Sequence, residues 1–146
     1  RLSTKGRYAV MAMTDLAAHA SAAGGRGAVA LAEIASRQQI SLSYLEQLFA
    51  RLRRRGLVES VRGPGGGYRL ARTPAETSVA DVVRAVDEPL KAVRCSGDQR
   101  KGCLRGGERC ATHALWDEMG RHIEGYLASV SLDDVIQGRL SREEAA

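Results

Sequence analysis

The chain has 146 residues, a formal net charge of +5, 44% hydrophobic and 27% charged residues, and three cysteines. That is enough chain for one domain, or a small domain with an appendage, to bury a core. No run approaches the ~18 apolar residues of a membrane span and no signal-peptide pattern opens the chain, so a soluble cytoplasmic protein without membrane contact is expected.

The charge is unevenly divided. Residues 1–72 carry 12 Lys and Arg against 4 Asp and Glu, whereas residues 73–146 carry 10 against 13. A basic N-terminal half joined to an acidic remainder suggests an N-terminal surface that meets a polyanion, although an ordinary solvated surface has the same charge signature.

Ser3 or Thr4 can cap a first helix, K-G-R-Y-A-V-M-A-M-T-D-L-A-A-H-A, in which Tyr8, Met11 or Ala12, Leu16 and Ala20 recur at three- and four-residue steps. His19, near its end, reads as a surface or capping histidine. Gly24, Gly25 and Gly27 mark a loop. A short helix is predicted over residues 31–37, packing through Leu31, Ile34 and Ala35. After a brief turn at residues 38–40 comes S-L-S-Y-L-E-Q-L-F-A-R-L-R-R-R-G, with Leu45, Leu48, Phe49 and Leu52 as its apolar stripe and Gly56 as the stop. Two helices joined by a tight turn, the second polar at its start, describe a helix-turn-helix with a recognition helix.

Beyond Gly56, L-V-E-S-V and Y-R-L-A alternate like short strands around R-G-P-G-G-G, which makes a hairpin tip, and a hairpin placed there is a wing. Residues 51–72 hold seven arginines and one acid, Glu59, the density that phosphate contact needs. The glycine run lacks the Lys-Ser/Thr of a P-loop and opens no helix, which excludes nucleotide binding there. Thr77 or Ser78 then starts a helix with Val79, Val82, Val83 and Val86 on one face, stopped by Pro89.

Residues 95–113 read C-S-G-D-Q-R-K-G-C-L-R-G-G-E-R-C-A-T-H and contain every cysteine of the chain and one of its three histidines. With four glycines and no apolar periodicity, the stretch is a loop. Three thiols and an imidazole there suit an iron–sulfur cluster or zinc. Free surface thiols, or one disulfide with a cysteine left over, are the bland alternatives. The spacing C-x7-C-x6-C-x2-H does not by itself name a metal.

Thr112 is positioned to cap a long helix whose apolar set is Leu115, Trp116, Met119, Ile123, Tyr126, Leu127 and Val130. So wide a face calls for a partner, and a second copy of the chain is the economical one, although folding back on its own domain would also cover it. His122 reads as packing or surface. Residues 131–138 form a last capped turn, and the tail 139–146 is expected to be mobile.

The segments R-L-S-T-K-G-R-Y-A-V, I-S-L-S-Y-L-E-Q-L-F, R-G-P-G-G-G-Y and C-A-T-H-A-L-W, found in this order, resemble the iron–sulfur cluster regulators of the Rrf-type winged-helix transcription factor family. The resemblance implies a mainly α fold with a small β-hairpin wing: a winged helix-turn-helix over residues 1–75, then a cluster-binding loop and long C-terminal dimerisation helix over residues 76–138. It implies a homodimer on double-stranded palindromic promoter DNA, with cluster-assembly genes among its targets. It also implies a 2Fe-2S cluster on Cys95, Cys103, Cys110 and His113. Base and backbone contacts would fall to Ser41, Ser43, Tyr44, Glu46 and Gln47 on the recognition helix, to Arg62, Gly63 and Pro64 on the wing, and to Lys5. Leu115, Trp116, Met119, Ile123 and Leu127 would form the dimer interface.

The gaps between the cysteines are longer than the family's usual ones. Nitric-oxide- and iron-responsive repressors of the same family share the wing and three cysteines, but lack this pairing of S-Y-L-E-Q with T-H-A-L-W. Glu46 also completes an S-x-x-E capping box with Ser43, which would make it a helix cap instead of a reader of cytosine N4. Two other classes remain: a DNA-binding protein with a structural zinc, and an enzyme with a thiol nucleophile and His113 as base, for which no oxyanion or carboxylate arrangement is visible.

Overall fold

A computed structural model describes residues 4–20, 27–86 and 111–140. Helix α1 (Thr4–His19) leads to α2 (Leu31–Gln38) and α3 (Leu42–Arg54). Strands β1 (Val58–Val61) and β2 (Gly67–Leu70) follow, then a short 3-10 turn (Pro74–Glu76), α4 (Val79–Ala85), α5 (His113–Ser129) and α6 (Leu132–Gln137). No helix among the described residues is long and apolar enough to cross a membrane.

The predicted stripe of α3, Leu45, Leu48, Phe49 and Leu52, is buried and meets Ala9, Ala12, Met13 and Leu16 of α1 and Ile34 of α2. Val82, Ala85 and Val86 at the end of α4, and Leu132 of α6, close the same cluster. The buried face of α1 is thus rotated from the one its periodicity suggested. Ala12 is inside, Met11 is 38% exposed, and Tyr8 and Ala20 are half-buried. Tyr8 sits at the edge because its ring meets Tyr44 of α3 edge-on, with centroids 5.8 Å apart.

The turn between α2 and α3 depends on Gln39, which adopts the left-handed conformation at φ 55°, ψ 47°. Ser41 then caps α3, its hydroxyl accepting from the Tyr44 amide at 3.1 Å. The hairpin is antiparallel, pairing Val58 with Leu70 and Val61 with Gly67. Val29, just before α2, adds a bridge to Tyr68 through two backbone hydrogen bonds of 2.8 and 2.9 Å. Gly67 is required there: its φ is 147°, and a Cβ would lie 2.2 Å from the Val29 carbonyl oxygen.

Ser78, one of the two expected starts, caps α4 in a reciprocal box with Asp81. Ser131 does the same for α6 with Asp134. The two caps lie side by side: the Val79 amide donates to the Val130 carbonyl, and the Leu132 amide to the Thr77 carbonyl. Helix α4 ends before the expected stop, Pro89, which lies outside the described residues, as does Ser3. Arg139 is bound to the carboxylates of Asp133 and Asp134, and residues 141–146 lie outside the description.

Among the described residues, one charged side chain lies inside. Asp15 of α1 is 4% exposed and accepts from Arg37 Nη2 at 2.7 Å, Arg37 Nε at 3.0 Å and Gln38 Nε2 at 2.8 Å. His19 caps the end of α1, its Nδ1 lying 2.9 Å from the Asp15 carbonyl oxygen. Burial alone would raise the Asp15 pKa; the hydrogen bonds from Arg37 and Gln38 and the Arg37 charge overcome it, and the net shift is downward.

Asp15→Ala is expected to destabilise the fold by about 2–4 kcal/mol in urea titration, because it strands Arg37 and Gln38 at a core edge. The carboxylate's folded pKa is lowered, so its stabilisation is complete above the ordinary carboxylate value near 3.8 and fades as pH falls through the lower folded value. Asp15→Asn should flatten that acid limb of the stability profile.

Candidate nucleic-acid interface

With its apolar stripe inward, α3 turns Ser43, Glu46, Gln47, Ala50, Arg53 and Arg54 outward. Ser41 and Ser43 hydroxyls lie 3.0 Å apart at its start. The Tyr8–Tyr44 contact brings the first turn of α1, which carries Lys5, beside the first turn of α3. A groove between them is lined by Thr4, Tyr8, Ser41, Ser43, Tyr44 and Gln47.

The capping-box reading of Glu46 does not hold. The cap of α3 is Ser41, so Ser43 lies within the first turn, and Glu46 is not at the position that could reach back. Its exposed carboxylate has no hydrogen-bond or ion-pair partner among the described residues. That leaves an acceptor on the outward face of a recognition helix, which is what pairing with cytosine N4 requires.

At the wing tip, Arg62, Gly63 and Pro64 are exposed. Gly63 and Gly65 take φ of 93° and 72°, and a Cβ on Gly66 would lie 2.3 Å from the Val61 carbonyl oxygen, so the tight tip depends on its glycines. The wing is held to α3 by the Phe49–Tyr68 ring contact, with centroids 5.0 Å apart.

Not all seven arginines face outward to a polyanion. Arg51 donates to the Val86 carbonyl at 3.1 Å, joining α3 to the end of α4. Arg69 pairs across the hairpin with Glu59 at 2.9 Å, and Arg72 lies 3.9 Å from Asp81. Arg53, Arg54, Arg55 and Arg62 are exposed. Density along the sequence overstated the cationic face, because members of the run such as Arg51, Arg69 and Arg72 are engaged within the fold.

Cys95, Cys103 and Cys110 lie outside the described residues. His113 is the first residue of α5 and is half-buried. Thr112 precedes α5 without the expected side-chain cap; its hydroxyl instead accepts from Trp116 Nε1 at 2.9 Å. Along α5, Leu115 is 58% exposed, and Trp116, Met119 and Tyr126 are also exposed. Ile123 is half-buried. Leu127, placed with the outward apolar set by its spacing, packs on Val79, Ala80, Val83 and Val130, so the end of α5 folds back on its own chain. An Arg84–Glu124 ion pair of 2.7 Å adds to that contact. His122, as expected, is at the surface, 3.1 Å from Glu118.

Residues 2–138 match the family profile Rrf2, described as an iron-dependent transcriptional regulator. The chain is 55% identical over 139 residues to the HTH-type transcriptional regulator IscR of Photorhabdus laumondii subsp. laumondii, covering 95% of this chain and 80% of that one. It is 50% identical to IscR of Escherichia coli O1:K1 / APEC, with coverage of 95% and 82%. Among solved structures, T. potens IscR superposes with a TM-score of 0.73 at 40% identity, covering 95% of this chain and 88% of that one. CymR, titled the global cysteine regulator of B. subtilis, does so with a TM-score of 0.73 at 34% identity, covering 92% and 95%. The relatives are named as transcriptional regulators, a non-enzymatic role.

The two arginine groups are separable by salt. Arg53→Ala or Arg54→Ala is expected to lower the slope of log affinity against log salt by about 0.9 for each phosphate that is no longer neutralised. Arg69→Ala, whose partner is Glu59, should leave that slope unchanged in the same fluorescence-anisotropy titration.

Proposed function

The chain belongs to the Rrf2 family of transcriptional regulators, and on that premise we propose that it is an iron–sulfur-cluster-sensing member. It binds palindromic promoter DNA as a homodimer in the cytoplasm and controls iron–sulfur cluster assembly genes. The observation that carries this reading is the make-up of α5. Its first residue is the ligand candidate His113, three positions after Cys110, and the turns that follow expose Leu115, Trp116 and Met119.

The donor set fits a 2Fe-2S cluster. Three thiolates and one imidazole are ligands such clusters take, and His113 is half-buried at the start of a helix instead of splayed into solvent. Cys95, Cys103, Cys110 and His113 would hold it. When bound, the cluster would supply a redox-active, oxidisable centre. The histidine keeps the potential above that of an all-cysteine site.

The DNA contacts come from the chain's own residues. Ser41, Ser43, Tyr44 and Gln47 present hydroxyl and amide groups at the start of α3, Glu46 accepts from cytosine N4, and Arg62 enters the minor groove from the wing. Gly63 and Pro64 let the wing backbone approach the phosphates, and Lys5 adds a phosphate contact. Pairing of two α5 helices through Leu115, Trp116, Met119 and Ile123 would place two α3 helices about 34 Å apart, in successive major grooves of a two-fold site.

Anaerobic reconstitution with iron and sulfide should give a coloured protein absorbing in the visible. Cys95→Ala, Cys103→Ala and Cys110→Ala should each abolish the colour. His113→Cys should keep it with a shifted spectrum and a lower reduction potential. A colourless zinc-bound protein would favour a structural zinc instead, and an unchanged spectrum and potential in His113→Ala would remove His113 from the ligand set.

Met119→Glu should convert a dimer to a monomer in sedimentation and reduce DNA affinity at least tenfold, since two half-sites then bind independently. A wild-type monomer at micromolar concentration would contradict the homodimer.

A further inference from the structure

The outward face of α3 carries one residue that polar recognition does not explain. Leu42 is the first residue of the helix and is 42% exposed, flanked by the hydroxyls of Ser41 and Ser43. Every other leucine of α3, at 45, 48 and 52, is buried at 2% exposure or less. Ser43, Glu46, Gln47, Ala50, Arg53 and Arg54 complete the outward face, so Leu42 is its single large apolar side chain.

Its position decides what it can meet. The first residues of a recognition helix approach base edges in the major groove. There, the C5-methyl of thymine is the one apolar group that a base pair presents. Glu46 follows Leu42 by four residues on the same side of the helix, about 6 Å along the axis, or roughly two base-pair steps. We propose that Leu42 is a specificity residue that covers a thymine C5-methyl within about two base pairs of the base read by Glu46. The proposal rests on the DNA-binding reading of α3 above, and adds an apolar reader to its polar ones.

The test uses the full chain and a palindromic duplex selected by it from a randomised library. Each thymine of the bound site is replaced in turn by deoxyuridine, which differs only in lacking the methyl. One position in each half-site should lose affinity about fourfold per replacement, which corresponds to ~0.8 kcal/mol, the magnitude of burying one methyl-sized group. Leu42→Ala should bind thymine and uracil duplexes equally at that position while still preferring the selected site to random DNA. Its melting temperature should match wild type, because Leu42 is outside the core. If the chain selects a site but no thymine replacement weakens it, or Leu42→Ala keeps the full methyl effect, Leu42 is not the reader. Failure to select any site would instead overturn the recognition-helix assignment, and this proposal with it.

Discussion

Asp15 lies inside the helical core yet carries a charge, and the way that charge is met sets how α3 leaves α2. Its carboxylate takes hydrogen bonds from two consecutive residues, Arg37 and Gln38, at the end of α2. The next residue is Gln39, whose left-handed conformation turns the chain into α3. An apolar contact there would tolerate small slides of α2 along α1. A forked guanidinium–carboxylate pair does not, because both of its bonds break when the planes rotate. A buried ion pair of this kind adds little net stability over a packed apolar pair, so its effect here is on the angle at which the recognition helix leaves the turn.

The wing is fixed to the same body by a different device. Tyr68 pairs its backbone with Val29 and packs its ring on Phe49, so one residue of β2 touches both the segment before α2 and the core face of α3. Gly67 makes this approach possible, since any side chain would collide with the Val29 carbonyl. Glu46 and Arg62 therefore project from one rigid unit. A backbone packed in this way needs no further ordering to present the two side chains together.

Much of this was legible in the sequence because it is local. The spacing of Leu45, Leu48, Phe49 and Leu52 identifies α3 and its inner face, and the Pro-Gly run identifies the hairpin. Outward positions for Ser43, Glu46, Gln47 and Arg62 then follow. What the sequence hid is what depends on distant partners. Nothing near Asp15 announces that a residue 22 positions away will bury it. Val29 forms a one-residue bridge, too short for any alternation to signal. The choice between Met11 and Ala12, and the rotation that places Met13 inside, depend on which side of α1 meets α2 and α3. Ser43 and Glu46 spell a local S-x-x-E cap, but the helix begins one hydroxyl earlier, at Ser41. The arginine run concealed Arg51, Arg69 and Arg72, whose partners lie in other elements.

Those partners give α4 a particular place between the two functional regions. Val86, which follows its last turn, directly precedes residues 87–110, which contain all three cysteines, and the Val86 carbonyl accepts from Arg51 of α3. On its other side, α5, which emerges from that segment at His113, returns to α4 through Leu127, Val130 and the Arg84–Glu124 pair. The two attachments differ in strength. Both members of the Arg84–Glu124 pair are about half exposed, and ion pairs of that kind contribute about 0–1 kcal/mol, so the apolar contacts of Leu127 and Val130 set the seat of α5. The Arg51 bond is partly buried and carries a full charge against a helix-end carbonyl, which is the stronger class, at about 1.5–3 kcal/mol. Of the two polar connections to α4, the one reaching α3 is therefore the stronger. A displacement of the chain at Val86 is met at once by α3, whereas the outer turns of α5 are left to answer to whatever covers Leu115, Trp116 and Met119.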